Sequence, residues 1–141
     1  MIRLRRIVRN EEGVAAVEMA FALPILVLMI WMMVQLAQVY RAVAGIQQAL
    51  GEGARYATLC LNATTGGCTV PAKADVTAEM QQSVYGIGPG SFSPSTSDLQ
   101  TSGTGSYYDL TVAYTQPTSL LFLPGPTVNV SRSKRVWVAG T

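Results

Sequence analysis

Residues 11–34 read EEGVAAVEMAFALPILVLMIWMMV, and this stretch decides the architecture. From Met19 to Val34 it holds neither a charge nor an amide, and from Val14 onward Glu18 is its one ionisable side chain. A helix needs about 20 mostly apolar residues to cross the hydrocarbon of a bilayer, so Val14–Val34 is long enough to span one. Upstream lie Arg3, Arg5, Arg6 and Arg9, while basic and acidic residues balance from Val14 onward, so the net charge of +2 belongs to the N-terminal segment. Positive charge stays on the cytoplasmic side, which places the chain beyond about Tyr40 across the membrane. Trp31 and Tyr40 suit the outer interface, where amphipathic rings collect.

The helix is expected to continue past the lipid. Leu36, Val39, Tyr40, Val43, Ile46, Leu50, Ala54 and Ala57 recur at steps of three and four, with Gln35, Gln38, Arg41, Gln48, Glu52 and Arg55 largely off that stripe. Pro24 removes one backbone donor and predicts a kink. Gly45, Gly51 and Gly53 lower helical propensity but permit close packing.

Beyond the helix stands Cys60-LNATTGG-Cys68. In an oxidising outer compartment these cysteines are expected to form a disulfide that closes a short loop. Pro71 to about Tyr85 predicts a short helix with Val76, Met80 and Val84 on one face, ended by Gly86, Gly88, Pro89 and Gly90. Ser91–Ser106, rich in Ser, Thr, Gly and Pro, reads as mostly loop. Tyr107–Thr115 and Thr127–Val138 alternate as strands, the first through Tyr108, Leu110, Val112 and Tyr114, the second through Val128, Val130, Val136 and Val138. Gln116–Pro126 reads as the connection between them and carries Leu120, Leu121, Phe122 and Leu123, a candidate contact loop. The expected fold class is α+β: a long N-terminal transmembrane helix continuing into a small outer domain with a short helix and an antiparallel sheet, pilin-like in outline. The expected divisions are a basic leader at 1–13, a transmembrane helix at 14–35, a helical spine at 36–58 and a small extracytoplasmic domain at 59–141.

Composition excludes several function classes. With 49% hydrophobic and only 13% charged residues, the chain has a low charge share for a soluble domain. There is no histidine, which removes the commonest general base, the Ser-His and Cys-His nucleophile systems and most zinc sites. Lys73 and Lys134 sit in no catalytic motif, so neither an enzyme, a cofactor nor a small-molecule substrate is expected. No basic patch outside the N-terminus suggests nucleic acid. A secreted protein cut after Ala42-Val43-Ala44 is disfavoured by the length of the apolar run and by Arg41.

The stretch Glu-Glu-Gly13-Val-Ala-Ala-Val-Glu18-Met-Ala20-Phe-Ala-Leu-Pro24, with Glu52-Gly-Ala54-Arg55 downstream, resembles the TadE-like minor pseudopilin family of the tight-adherence (Tad/Flp) pilus system. The resemblance covers roughly the first 57 residues. It implies cleavage between Gly13 and Val14 by a prepilin peptidase, and an assembly role for Glu18 and Pro24. Glu52, Ala54 and Arg55 match the family's second motif. Met19 stands where Flp-type sites favour an aromatic residue, with Phe21 close by. The implied location is the bacterial inner membrane. The implied partners are membrane lipid, the peptidase, other pilins or pseudopilins and the pilus assembly platform.

Overall fold

The computed structural model describes residues 11–64, 67–103, 105–120 and 123–138. The leader arginines lie outside these residues, as do Leu121 and Phe122 of the candidate contact loop.

One helix, α1 (Glu11–Ala57), runs unbroken through Pro24 for 47 residues, about 70 Å at the standard rise. Its two halves bury different things. The inner half is exposed on every side, from Val14 through Phe21, Leu26 and Ile30 to Val34. Its most apolar stretch has a mean hydropathy of 2.3, and none of it is buried. A helix apolar all round, with no protein covering it, has the surface of a membrane span. The outer half buries one face: Ala42, Gly45, Ile46, Ala49, Leu50, Gly53, Ala54 and Ala57.

That face corrects the predicted stripe. Leu36 and Tyr40 are exposed, whereas Gln35 and Gln38 are half-buried. The inward face steps from Gln35 through Gln38 to Ala42 and Gly45, so two amides lead it and small residues form its middle. The amides turn inward because the sheet supplies partners for them. Small residues bring the layers together. A Cβ on Gly53 would stand 2.4 Å from Met80 Cγ, and one on Gly45 would stand 3.1 Å from an Ile87 methyl.

After α1, the disulfide Cys60–Cys68 forms, with Cα atoms 5.4 Å apart. It brackets a miniature hairpin rather than a plain loop. Here β1 (Asn62–Thr64) pairs antiparallel with β2 (Gly67–Thr69), and Leu61 N–H donates to Thr69 O at 2.9 Å. The short helix α2 (Lys73–Ser83) follows where proline and an acidic first turn predict it. Val76, Met80 and Val84 are buried as expected.

The main sheet is longer than the sequence suggests. Its strands are β3 (Ser91–Thr96), β4 (Gln100–Ser102), β5 (Gly105–Leu120) and β6 (Leu123–Val138). Central β5 pairs with β6 along one edge and with β3 and β4 in turn along the other, all antiparallel. The expectation of loop over Ser91–Ser106 therefore fails at β3 and β4. Pro94 is tolerated because β3 is an edge strand, where a missing donor need not break a ladder. The expectation of a connection over Gln116–Pro126 fails as well. Both strands continue through it, with Pro117 opposite Thr127, Ser119 opposite Pro124 and Leu120 opposite Leu123, and an irregularity between Pro117 and Ser119. The prolines that read as boundaries lie inside a hairpin arm.

The core forms where α1 and α2 cover one face of this sheet. Tyr108, Leu110, Val112 and Tyr114 of β5 meet Ile46, Ala49 and Leu50 of α1 and Val76 and Met80 of α2, while Val136 and Val138 close the edge. The ring of Phe92 leans on Tyr114 at 4.6 Å between centroids. Strand alternation puts the remaining side chains outside. There Arg135 grips Asp109 through two hydrogen bonds of 2.9 and 3.0 Å and lies 4.2 Å from the Tyr107 ring centre. Its hydrogen bonds hold the Asp109 carboxyl below the usual carboxylate range. On the core side, burial and then the nearby Asp98 charge raise the Tyr108 hydroxyl above its ordinary value, and it donates to Pro71 O at 3.0 Å.

Candidate functional site

The residues singled out from sequence fall into separate places along α1. Gly13, Val14 and Glu18 lie on the exposed inner half. Val14 and Glu18 are one helical turn apart and share a face. Among the described residues, a Cβ on Gly13 would meet nothing within 4 Å, so their packing does not explain a glycine there. Among the described residues, Glu18 has no hydrogen bond or ion pair. Pro24 lacks a backbone N–H, which leaves the carbonyl of Ala20 without its intrahelical donor in an apolar segment.

Glu52, Ala54 and Arg55 lie at the far end of α1, about 50 Å from Glu18 at helical rise. The structure therefore does not bring the two motifs together. Ala54 and Gly53 face the core, while Arg55 points to solvent with 82% of its side chain exposed. The Arg55–Glu52 contact is 4.0 Å, at the limit of an ion pair, and exposed pairs of this kind contribute little.

Leu120 and Leu123 of the contact loop pair at the lower end of the described β5–β6 arm, and the arm rests on α1. Trp31 Nε1–H donates to the carbonyl of Ser119 at 2.8 Å, and Gln35 Nε2 donates to the same oxygen. The amide N–H of Ser119 donates in return to Gln35 Oε1 at 3.3 Å. Both backbone groups of Ser119 are thus satisfied by helix side chains. Higher up, Gln116 Nε2 donates to Gln38 Oε1 at 3.2 Å. Tyr114 donates to Gln116 Oε1 at 2.7 Å, and Gly90 N–H donates to the Tyr114 hydroxyl at 3.2 Å. Gly90 has to be glycine here, because a Cβ would lie 2.5 Å from Thr115 O. This polar chain runs from half-buried Gln38 into the buried Gln116 and Tyr114 between helix and sheet, with each member partnered.

Trp31, Gln35, Gln38, Tyr114, Gln116 and Ser119 were not legible as a group. The available signal was the return of amides at Gln35 and Gln38, directly after the amide-free run, on one helical face.

The family model described as TadE-like protein matches residues 13–55. Over that segment, about the first two fifths of the chain, the protein is similar to the TadE-like family. No curated protein and no solved structure matches the chain. The TadE-like segment begins at Gly13 and ends at Arg55, so both sequence motifs lie inside it, as do Trp31, Gln35 and Gln38. The sheet that those side chains grip lies wholly outside it.

Proposed function

We propose that this protein is a minor pseudopilin that takes part in assembling a Tad/Flp-type adhesive pilus. It crosses the bacterial inner membrane once, with its N-terminus in the cytoplasm and the α+β domain outside. A prepilin peptidase cuts it between Gly13 and Val14. The observation that carries this reading is the coincidence of three things at one place. The TadE-like match starts at Gly13, the all-round apolar surface starts at Val14, and Glu18 stands one turn further on with no partner among the described residues.

The chemistry gives that coincidence a use. An ionised carboxylate inside the hydrocarbon costs about 3 kcal/mol on insertion scales, so it calls for a partner. Cleavage after Gly13 creates a cationic α-amine at Val14. When helices pack side by side in a membrane, the Val14 amine of one copy can neutralise Glu18 of a neighbouring pilin, which fixes their stagger. Pro24 adds the free Ala20 carbonyl as a second polar point on an otherwise apolar surface. The outer domain provides a rigid body on the same helix, and its partners are other pilins or pseudopilins and the assembly platform. The role is structural, with no catalytic step.

N-terminal sequencing of the protein from membranes of cells with and without the prepilin peptidase tests the reading. A start at Val14 that depends on the peptidase is expected. An intact Met1 in both strains would leave a signal-anchored outer domain that is not processed as a pilin. Glu18→Ala is expected to reduce piliation while the protein still inserts, and unchanged piliation would remove Glu18 from the mechanism.

A further inference from the structure

We propose that the lower paired residues of the β5–β6 hairpin, Pro117–Leu120 with Leu123–Thr127, are a second membrane contact, lying against the outer leaflet beside the helix that anchors the chain. The proposal rests on the single-pass reading of α1 and adds a site to it. The occupant is lipid: acyl chains and the carbonyl layer just beneath the headgroups.

The geometry begins with direction. Leu110 stands near Gly53, Gln116 bonds to Gln38, and Ser119 bonds to Gln35 and Trp31. Strand β5 therefore runs back along α1 toward its N-terminus. At about 3.3 Å per residue, the nine steps from Leu110 to Ser119 cover about 30 Å. The helix from Gly53 to Gln35 covers about 27 Å, so the two descend together. If Val14–Val34 fills the bilayer core, Trp31 lies about 4.5 Å inside its outer edge. The strand bonded to Trp31 reaches the same depth, and Leu120 and Leu123 extend the arm past it.

Below the level of Gln38 and Gln116, as far as Glu18, neither element carries a charge. On α1 no charged residue occurs between Glu18 and Arg41, and on the hairpin none occurs between Asp109 and Arg132. Charges are expelled from hydrocarbon, so their shared absence below Gln38 and Gln116 marks a layer that both elements enter. Leu123 is 65% exposed. Between arm and helix lies an open groove of about 430 Å³ lined by Met32, Met33, Leu36, Val39, Pro126 and Val128. It is apolar and sits at the depth where lipid chains begin.

An open hairpin in lipid faces one objection, because unpaired backbone donors are costly there. Among the described residues of this arm, several donors are either absent or paired to the helix. Pro117, Pro124 and Pro126 have no N–H at all, and both backbone groups of Ser119 are bonded to helix side chains. The prolines that look wrong for a strand suit a strand entering an interface.

The test uses the full chain in vesicles of phosphatidylethanolamine and phosphatidylglycerol, with the Cys60–Cys68 bond intact. Leu123→Cys, Leu26→Cys and Ser131→Cys are each labelled with an environment-sensitive fluorophore. Leu123 and Ser131 are exposed, so labelling should not disturb folding. Lipids carry a quenching doxyl group either near the headgroup or near the chain end. Blue-shifted emission at position 123, quenched most strongly by the shallow doxyl lipid, with no quenching at 131, is expected. Quenching at position 26 alone would overturn the hairpin contact and leave the anchor standing. Self-quenching at 123 between labelled copies, insensitive to doxyl lipid, would replace lipid with a second copy of the chain and overturn the proposal. No quenching at 26 or 123 would overturn the anchor and the hairpin contact together.

Discussion

The two halves of α1 share one backbone and one hydrogen-bond ladder, yet they behave as different materials. From Val14 to Val34 large side chains point in every direction and all are exposed. From Arg41 to Ala57 the inward face is mostly alanine and glycine, with Ile46 and Leu50 as its large members, and the outward face carries Arg41, Gln47, Gln48 and Arg55. The difference lies in how apolar surface is arranged around the axis. Apolar surface on all sides needs an apolar solvent. A narrow stripe of small residues needs a close protein neighbour, and Met80 and Leu110 provide one beside Gly53. Helix packing in the outer half is therefore decided by what is missing from the side chains as much as by what is present.

Matched truncations should break this symmetry most visibly. Ile46→Ala opens a cavity in the fully buried core, and loss of about 2–5 kcal/mol of outer-domain stability is expected. Leu26→Ala in the inner half should leave denaturant unfolding of the outer domain, measured in detergent, unchanged. Equal losses would mean that the inner half packs against the folded domain.

Next in size is the disulfide, which exists only on the outer side of the comparison. Replacing Cys60 and Cys68 together by serine should cost about 2–3 kcal/mol, as expected for closing so short a loop. Thiol alkylation of the wild-type protein in intact cells should find both cysteines blocked. Free thiols would place the domain in a reducing compartment.

The seam between the halves should show a smaller effect. Tyr114→Phe removes the hydroxyl that joins Gly90 to Gln116, and a loss of about 1–2 kcal/mol is expected. Gln116→Leu in the same background should then cost less than it does alone, because the two share one network. Additive losses would show that the chain of amides is not coupled.

The smallest effect is one of pH. Arg135 lowers the folded-state pKa of Asp109 below its unfolded value. The sign follows: this contribution is fully present above the unfolded carboxylate range and is lost as pH falls through the folded pKa. Asp109→Asn should make the acid limb of outer-domain stability shallower while leaving the helix in the inner half unaffected. An unchanged acid limb would mean that the exposed pair contributes nothing.

How much of this was legible in advance varies along the chain. The long helix, the short helix with Val76, Met80 and Val84 inward, and the β5 alternation through Tyr108, Leu110, Val112 and Tyr114 could be read directly. Each is a periodic pattern of large apolar side chains, which a single sequence displays. The Glu18 and Glu52–Arg55 motifs could be read as a family resemblance, and the TadE-like match covers both. Strands β3 and β4 and the lower hairpin arm could not be read. Apart from Phe92 and the leucines at the hairpin's lower end, their side chains are small, polar or proline, and their place in the sheet comes from the ladder offered by β5.

The sequence by itself thus determined the elements whose burial is carried by their own side chains: the apolar span, the amphipathic helix and the central strand. Tertiary structure alone decided which way Gln35 and Gln38 face and where Ser119 lands. It also decided that Trp31 bonds a strand eighty-eight residues away. The physical reason is that an amide or an indole N–H carries no directional preference until a partner is brought within hydrogen-bond reach. Only the packing of β5 along α1 brings those partners there.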